Sequence, residues 1–403
     1  MAIMLRITAA LFTLLVLAAP AGAAQSFVYV AVAPLPCPGG VSCAGQLLVF
    51  DAATKELVTA VALGGAENVP RGMGIAPDGR RLYISLLASD GSASLAVFDT
   101  TRHEMGPTYP LPAGVAGPVA VTRDSLRVFV SGGGKLIVWD TRTATVSASH
   151  DASYNNLFAH PNLTRVIGAT LNGSFPFYSV TLTALDEVTG VGVDSASHGL
   201  TRNVTMSLDG SRIYNAATHT LPGRIEDVRI ISTVSLQETG TLESCGNGSC
   251  LPRRAVDAPT RNRAYVLADG VGATPIHSYD RTTAQPLSSL TVPNKNTDAV
   301  VSGDETRLWI ASQRTTADQT NSIDALGVVN LATFALERTI PLATSPLLMA
   351  ATPPPGEGRC SYTVSPSQSS WTRDGGTATI TLSTGCAWQA SENASWLHLP
   401  AVF

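Results

Sequence analysis

Charge is scarce in this chain. Of 403 residues only 14% are Asp, Glu, Lys or Arg, against about 25% in an ordinary soluble protein. Solvated helical bundles and coiled coils carry far more, so the sequence argues against both. A basic surplus is also lacking. The formal net charge is −4, which removes the electrostatic footprint that a nucleic-acid binder needs. Aromatics are few, at 6%, yet hydrophobic residues reach 44%, too many for a disordered chain. Beyond the N-terminal segment no apolar run approaches the ~20 residues that a membrane-spanning helix requires. What is abundant is Gly, at 35, and Pro, at 25. That composition suits a β-rich body with many turns.

The N-terminal segment has the pattern of an export signal. Arg6 precedes an apolar run from Ile7 to Ala19, and Ala21-Gly22-Ala23-Ala24 offers small residues for cleavage. Residues 1–24 are therefore expected to be a signal peptide, with the mature chain secreted or periplasmic. The six cysteines suit an oxidising compartment. They fall into three local pairs: Cys37 with Cys43, Cys245 with Cys250, and Cys360 with Cys386. Zinc would want tighter clustering and a neighbouring His, so all three are read as disulfides paired by proximity, with no metal.

A repeat runs through most of the chain. RGMGIAPDGRRLYIS (71–85), GPVAVTRDSLRVFVS (117–131) and RNVTMSLDGSRIYNA (202–216) share an apolar run, a turn and a second β-branched or aromatic run. Weaker copies begin at Asn155, Arg253 and Thr297, and a seventh begins at Leu347 without its second strand. Each copy is a hairpin signature. Between them recurs a second unit, such as QLLVFDAATKELVTAVAL, whose turn reads D-x-x-T at Asp51/Thr54, Asp140/Thr143 and Asp280/Thr283, with Asn330/Thr333 as a variant. Asx side chains there can hold their own backbone. Asp99 lacks the Thr, and the units near 175–193 and 228–242 are read as keeping the strands without the Asp. Four short strands over roughly 40–50 residues is the period of a propeller blade. The run FVYVAVA at 27–33 resembles the missing last strand. The expected fold is therefore all-β, a seven-bladed β-propeller over 25–350 in which the N-terminal strand completes the last blade and removes a free sheet edge.

These repeats resemble the YVTN-type seven-bladed propeller family. Pro77-Asp78-Gly79 with Leu82-Tyr83-Ile84, and Leu208-Asp209-Gly210 with Ile213-Tyr214, carry the likeness, which covers about 27–355. The family includes lactone hydrolases, surface-layer proteins and binding scaffolds, so the resemblance speaks to fold and not to activity.

After a Pro/Gly linker at 351–359 the composition changes. Residues 360–403 hold three of the five Trp and fourteen Ser or Thr, but only three charged groups. TATITLST (377–384) alternates as a strand does. The string CAWQASENASWLHL from Cys386 resembles a BACON-type module, a bacterial Ig-like sandwich, and implies a partial domain over 360–403. Trp388 and Trp396 are read mainly as sandwich core, with stacking on sugar rings the alternative.

No catalytic motif is found: no G-x-S-x-G elbow, H-E-x-x-H helix, P-loop or dinucleotide fingerprint. One constellation stands out. Aligned on their turns, the inner strands begin with Arg71, Gly117, Asn155, Arg202, Arg253, Thr297 and Leu347. The next ring holds Gly72, Pro118, Asn156, Asn203, Arg254, Asp298 and Leu348. Arg71, Asn155, Arg202, Asn203, Arg253, Arg254 and Asp298 would gather at one mouth of the channel and hold a carboxylate, sulfate or phosphate by forked hydrogen bonds. The alternative is that these arginines pair with Asp298, Asp257 or backbone carbonyls. His198 is a further candidate for the same mouth. The expected function is a non-enzymatic exported binding or scaffold protein without a cofactor, a monomer recognising an extracellular protein or glycan. The second reading is a lactonase-type hydrolase acting on an anionic sugar lactone.

Overall fold

The computed structural model describes residues 25–34, 44–65, 67–173, 178–201, 203–217, 227–243, 251–269, 273–293, 295–313, 324–353, 363–365 and 381–383. The first 24 residues, expected to be the signal peptide, lie outside them. So do all six cysteines: Cys37, Cys43, Cys245, Cys250, Cys360 and Cys386. The disulfides expected between Cys37 and Cys43, between Cys245 and Cys250, and between Cys360 and Cys386 thus fall outside the described residues. Arg202 of the expected mouth, and Trp388 and Trp396 of the tail, fall outside them too.

Seven four-stranded antiparallel sheets make up the body. Blades one to six span 69–111, 119–150, 156–200, 203–243, 251–293 and 295–341. The seventh sheet joins Pro346–Ala351 to Phe27–Val32, Gln46–Asp51 and Leu57–Ala62. In it Val28 pairs with Ala351 and Val30 with Met349. The molecule is thus an all-β seven-bladed propeller. Among the described residues there is no α-helix, only a 3₁₀ turn at Pro259–Arg261, and no helix long and apolar enough to cross a membrane.

Burial explains both the apolar runs and the low charge. A second strand such as Arg81–Leu87 is packed on both faces, and its residues from Leu82 to Leu86 are all buried. Such a strand reads as a continuous hydrophobic run, without alternation. An outermost strand such as Leu57–Ala62 has one wet face and stays largely exposed. The apolar side chains collect into seven clusters, one at each seam between blades. Phe27–Val32 belongs to two of them: Val28, Val30 and Val32 face blade six, while Tyr29 and Ala31 face blade one.

The D-x-x-T turn recurs more widely than the sequence suggested. Asp140 Oδ1 accepts from the backbone N–H of Arg142 (2.8 Å) and Thr143 (3.1 Å). Asp99 accepts from Thr101 (2.9 Å) and Arg102 (3.0 Å), so no Thr is needed at the fourth place. Blade three does have its Asp: Asp186 accepts from Val188 (3.1 Å) and Thr189 (2.8 Å). In blade four Ser232 Oγ replaces it, accepting from Val234 and Ser235, both at 3.3 Å. The residue four places on is left-handed in all seven blades, at Lys55, His103, Ala144, Gly190, Leu236, Ala284 and Phe334.

In the tail, Thr363–Ser365 pairs with Thr381–Ser383. The second of these strands lies within the alternating TATITLST run.

Candidate functional site

The inner strands of the blades surround the channel, and the strand register tests their alignment directly. Gly72 faces Ser85, Asn156 faces Ala169, Asn203 faces Ala216, Arg254 faces Leu267, Asp298 faces Ala311 and Leu348 faces Ala31. These partners are equivalent places in their hairpins, so the second ring is correctly aligned. The first ring holds a feature invisible in the sequence. Arg71, Arg253, Thr297 and Leu347 each sit where the register slips by one residue. A bulge leaves its extra residue out of the ladder and re-aims the side chain. Nothing in the local composition marks these four positions.

The proposed mouth residues divide into free-standing and engaged groups. Arg71 is exposed, and Arg253 is half-buried and engaged. Exposed Asn155 uses its Oδ1 to accept from Leu171 N–H at 2.8 Å, and half-buried Asn203 accepts from Val204 N–H at 2.8 Å. Arg254 and Asp298 meet in an ion pair of 2.8 Å. Arg254 Nε also donates to the Ala299 carbonyl at 3.2 Å. Asp298 accepts from Ala299 N–H (2.8 Å) and, in the next blade, from Met349 N–H (2.9 Å). Burial pushes the Asp298 carboxyl upward, and Arg254 with the two backbone donors pulls it back. This chain of contacts stitches blades five, six and seven together. His198 does not join it: it lies in the outermost strand of blade three, opposite Val180.

A second charged cluster lies at the turn end, between blades four and five. Arg281 Nε donates to Asp257 Oδ2 at 2.7 Å, and Nη2 donates to both carboxyl oxygens of Asp209 at 2.7 and 2.6 Å. Tyr214 Oη donates to Asp257 Oδ2 at 3.2 Å, and Leu208 N–H to Oδ1 at 3.0 Å. Burial drives the Asp257 carboxyl and the Tyr214 hydroxyl upward. Arg281 is driven further above its already high value by Asp257, Tyr214 and Asp209, against its own burial. The sequence hid this cluster because Arg281 occupies a variable place inside a D-x-x-T turn. Asp257 was a candidate partner for the mouth arginines; its guanidinium partner is Arg281.

Between the two charged clusters lies a central cavity of 360 Å³, lined by inner strands of all seven blades. Met73, Phe158, Met206, Val300 and Met349 contribute to its wall, with Arg123 and His160 towards the turns. His160 Nδ1 accepts from Asn162 N–H (3.0 Å) and Leu163 N–H (2.9 Å), leaving the ring proton on Nε2. Burial and the nearby Arg165 hold its pKa below the ordinary histidine value. Among the described residues no group of three or more His, Cys, Asp or Glu is placed to hold a metal ion.

No protein-family model matches the chain, and no curated protein matches it. Its likeness is to solved structures. Kuenenia stuttgartiensis hydrazine synthase superposes with a TM-score of 0.53 at 17% identity, over 71% of this chain and 90% of that one. Dihydro-heme d1 dehydrogenase NirN, in complex with DHE, superposes with a TM-score of 0.51 at 14% identity, over 79% of this chain and 64% of that one. At these identities the likeness shows the fold alone. The chain shares the β-propeller architecture of these two structures.

Proposed function

We propose that this chain is an exported, non-enzymatic propeller of the YVTN type that binds a protein or glycan partner at the mouth where its inner strands begin. In this reading the N-terminal strand closes the ring, the mature chain acts as a monomer, and the partial Ig-like tail is a spacer or second binding module. The observation that carries it is the set of bulges at Arg71, Arg253 and Thr297. Bulges cost ladder hydrogen bonds, and they recur where a side chain is re-aimed for use. Arg71 is exposed beyond its bulge, while the deeper charges of Arg254 and Asp298 serve each other. The lactonase reading would need acid and base groups converging at that mouth. His198 and Asp298 instead occupy the outermost strand of blade three and the inner strand of blade six.

The test is an array of neutral and acidic glycans probed with the full chain. Arg71→Ala combined with Arg253→Ala is expected to abolish retention on acidic glycans, with Arg253→Ala alone showing what loss of its own contacts does to the thermal transition. Unchanged retention by the double variant would remove the mouth from consideration.

A further inference from the structure

We infer that the central cavity is a binding site for a small apolar molecule, distinct from the polar mouth proposed above. The polar side chains that reach its wall are largely committed within the protein. Thr205 Oγ1 donates to the Ala255 carbonyl, Ser207 Oγ to Asp209 at 2.8 Å, and Thr352 Oγ1 to the Phe27 carbonyl at 3.2 Å. Arg254 and Asp257 belong to the two charged clusters, and His160 Nδ1 already accepts two N–H groups. Arg123 is the exception: it lies 3.6 Å from Glu187, and its buried Nε has no hydrogen-bond partner.

Several backbone groups on the inner strands are taken up in the same way. The carbonyls of Gly117, Ala255 and Ala299 accept from Ser85, Thr205 and Arg254 of the preceding blade. The N–H groups of Leu208 and Met349 donate to Asp257 and Asp298. Most of the surface that remains on the wall is methyl, thioether and ring.

A sugar would lose its hydration there with few groups left to replace it, and each unpaired hydroxyl would weaken binding. An apolar body loses nothing comparable and gains from every part of its surface that leaves water. Size sets the rest. At 360 Å³ the space falls at the lower end of the roughly 300–1,000 Å³ typical of small-molecule sites. Strands from all seven blades line it. Three of the wall residues are methionines from blades one, four and seven, Met73, Met206 and Met349. Flexible thioethers adapt to a ligand's outline and favour contact with aromatic rings. The occupant is therefore a compact hydrophobic or aromatic molecule without a sugar's hydroxyls.

Pyrene is the probe, because it has no hydrogen-bonding group and its emission bands report the polarity around it. Titrated into the full chain, it is expected to saturate near one per chain with the band ratio of an apolar environment. Val300→Phe reduces the space, and Met206→Gln places an amide on the wall with little change in volume. Each is expected to weaken binding about tenfold, equivalent to ~1.4 kcal/mol. Folding is checked by near-UV circular dichroism, and whichever variant keeps the native spectrum is read. Arg71→Ala is expected to bind pyrene as the parent does, so failure of the mouth on glycans and failure of the cavity on pyrene are separate results. Absence of saturable binding by the parent would overturn the inference, as would undiminished binding by a folded cavity variant.

Discussion

Gly72 has no room for a side chain. A Cβ there would lie 1.8 Å from the Gly117 carbonyl oxygen and 2.8 Å from Pro118 Cα, both in the inner strand region of the neighbouring blade. Because the obstacle is backbone, relief requires blades one and two to separate. Gly72→Ala is therefore expected to cost about 3 kcal/mol, the upper end of ordinary overpacking. Denaturant unfolding checks it; a loss under about 1 kcal/mol would mean that the seam yields. Asp298 poses the opposite problem, since its carboxylate is the shared acceptor for Arg254 and the Met349 N–H. Asp298→Ala strands a guanidinium and a backbone donor, and is expected to cost about 3 kcal/mol. Asp298→Asn keeps one acceptor oxygen and should cost clearly less in the same measurement.

At the scale of the element, the side-chain-capped turn is the repeated device. Asp140 is held well below the ordinary carboxylate range, chiefly by the Arg142 side chain and then by Thr143 N–H. Asp186 is held down by the Thr189 backbone and hydroxyl, and Asp280 by Thr283 N–H. A carboxyl whose folded pKa lies below its unfolded value near ~3.9 adds stability above that value. The contribution disappears as pH falls through the folded value. The chain should thus lose thermal stability on acidification below about pH 4 through these turns. Asn330 shows how to isolate the effect: its Oδ1 accepts from Ala332 (2.8 Å) and Thr333 (3.1 Å) as an aspartate would, without a charge to titrate. Asp186→Asn is expected to keep the turn at pH 7 and flatten the decline of Tm between about pH 4 and pH 2. An unchanged slope would assign acid sensitivity elsewhere. Asp186→Ala removes the acceptor itself and should cost about 1 kcal/mol, as loss of a comparable helix cap does. Thr at the fourth place made these turns visible in the sequence at Asp51, Asp140 and Asp280. Ser232 was not visible, because Ser is common in any loop and its role emerges only from the bonds it accepts.

The whole molecule is a ring of seams, and legibility follows that distinction. Blade period and inner-strand alignment could be read because each is local: a hairpin turn sets its own register. Partners across a seam could not. Asp209 of blade four meets Arg281 of blade five only where the ring brings the two blades together, and the bulges at Arg71 and Arg253 leave no mark in the local sequence. The likeness of FVYVAVA to a missing strand was a long-range clue that the repeat alone provided. Phe27–Val32 now gives the largest prediction. Val28, Tyr29, Val30 and Ala31 are each 0% exposed and Val32 is 1%, divided between the seams with blades six and one. Burying a large apolar side chain contributes about 1.5–3 kcal/mol, whereas a whole domain is stable by only about 5–15 kcal/mol. A chain beginning at residue 34 loses this strand from both seams and exposes the edges of Pro346–Ala351 and Gln46–Asp51, its two neighbours. It is expected to lack a cooperative thermal transition and to associate through those edges. A synthetic peptide of residues 25–34 added in excess should restore the transition, with a midpoint that rises with peptide concentration. A truncated chain that melts like the parent without peptide would show that six blades hold together unaided.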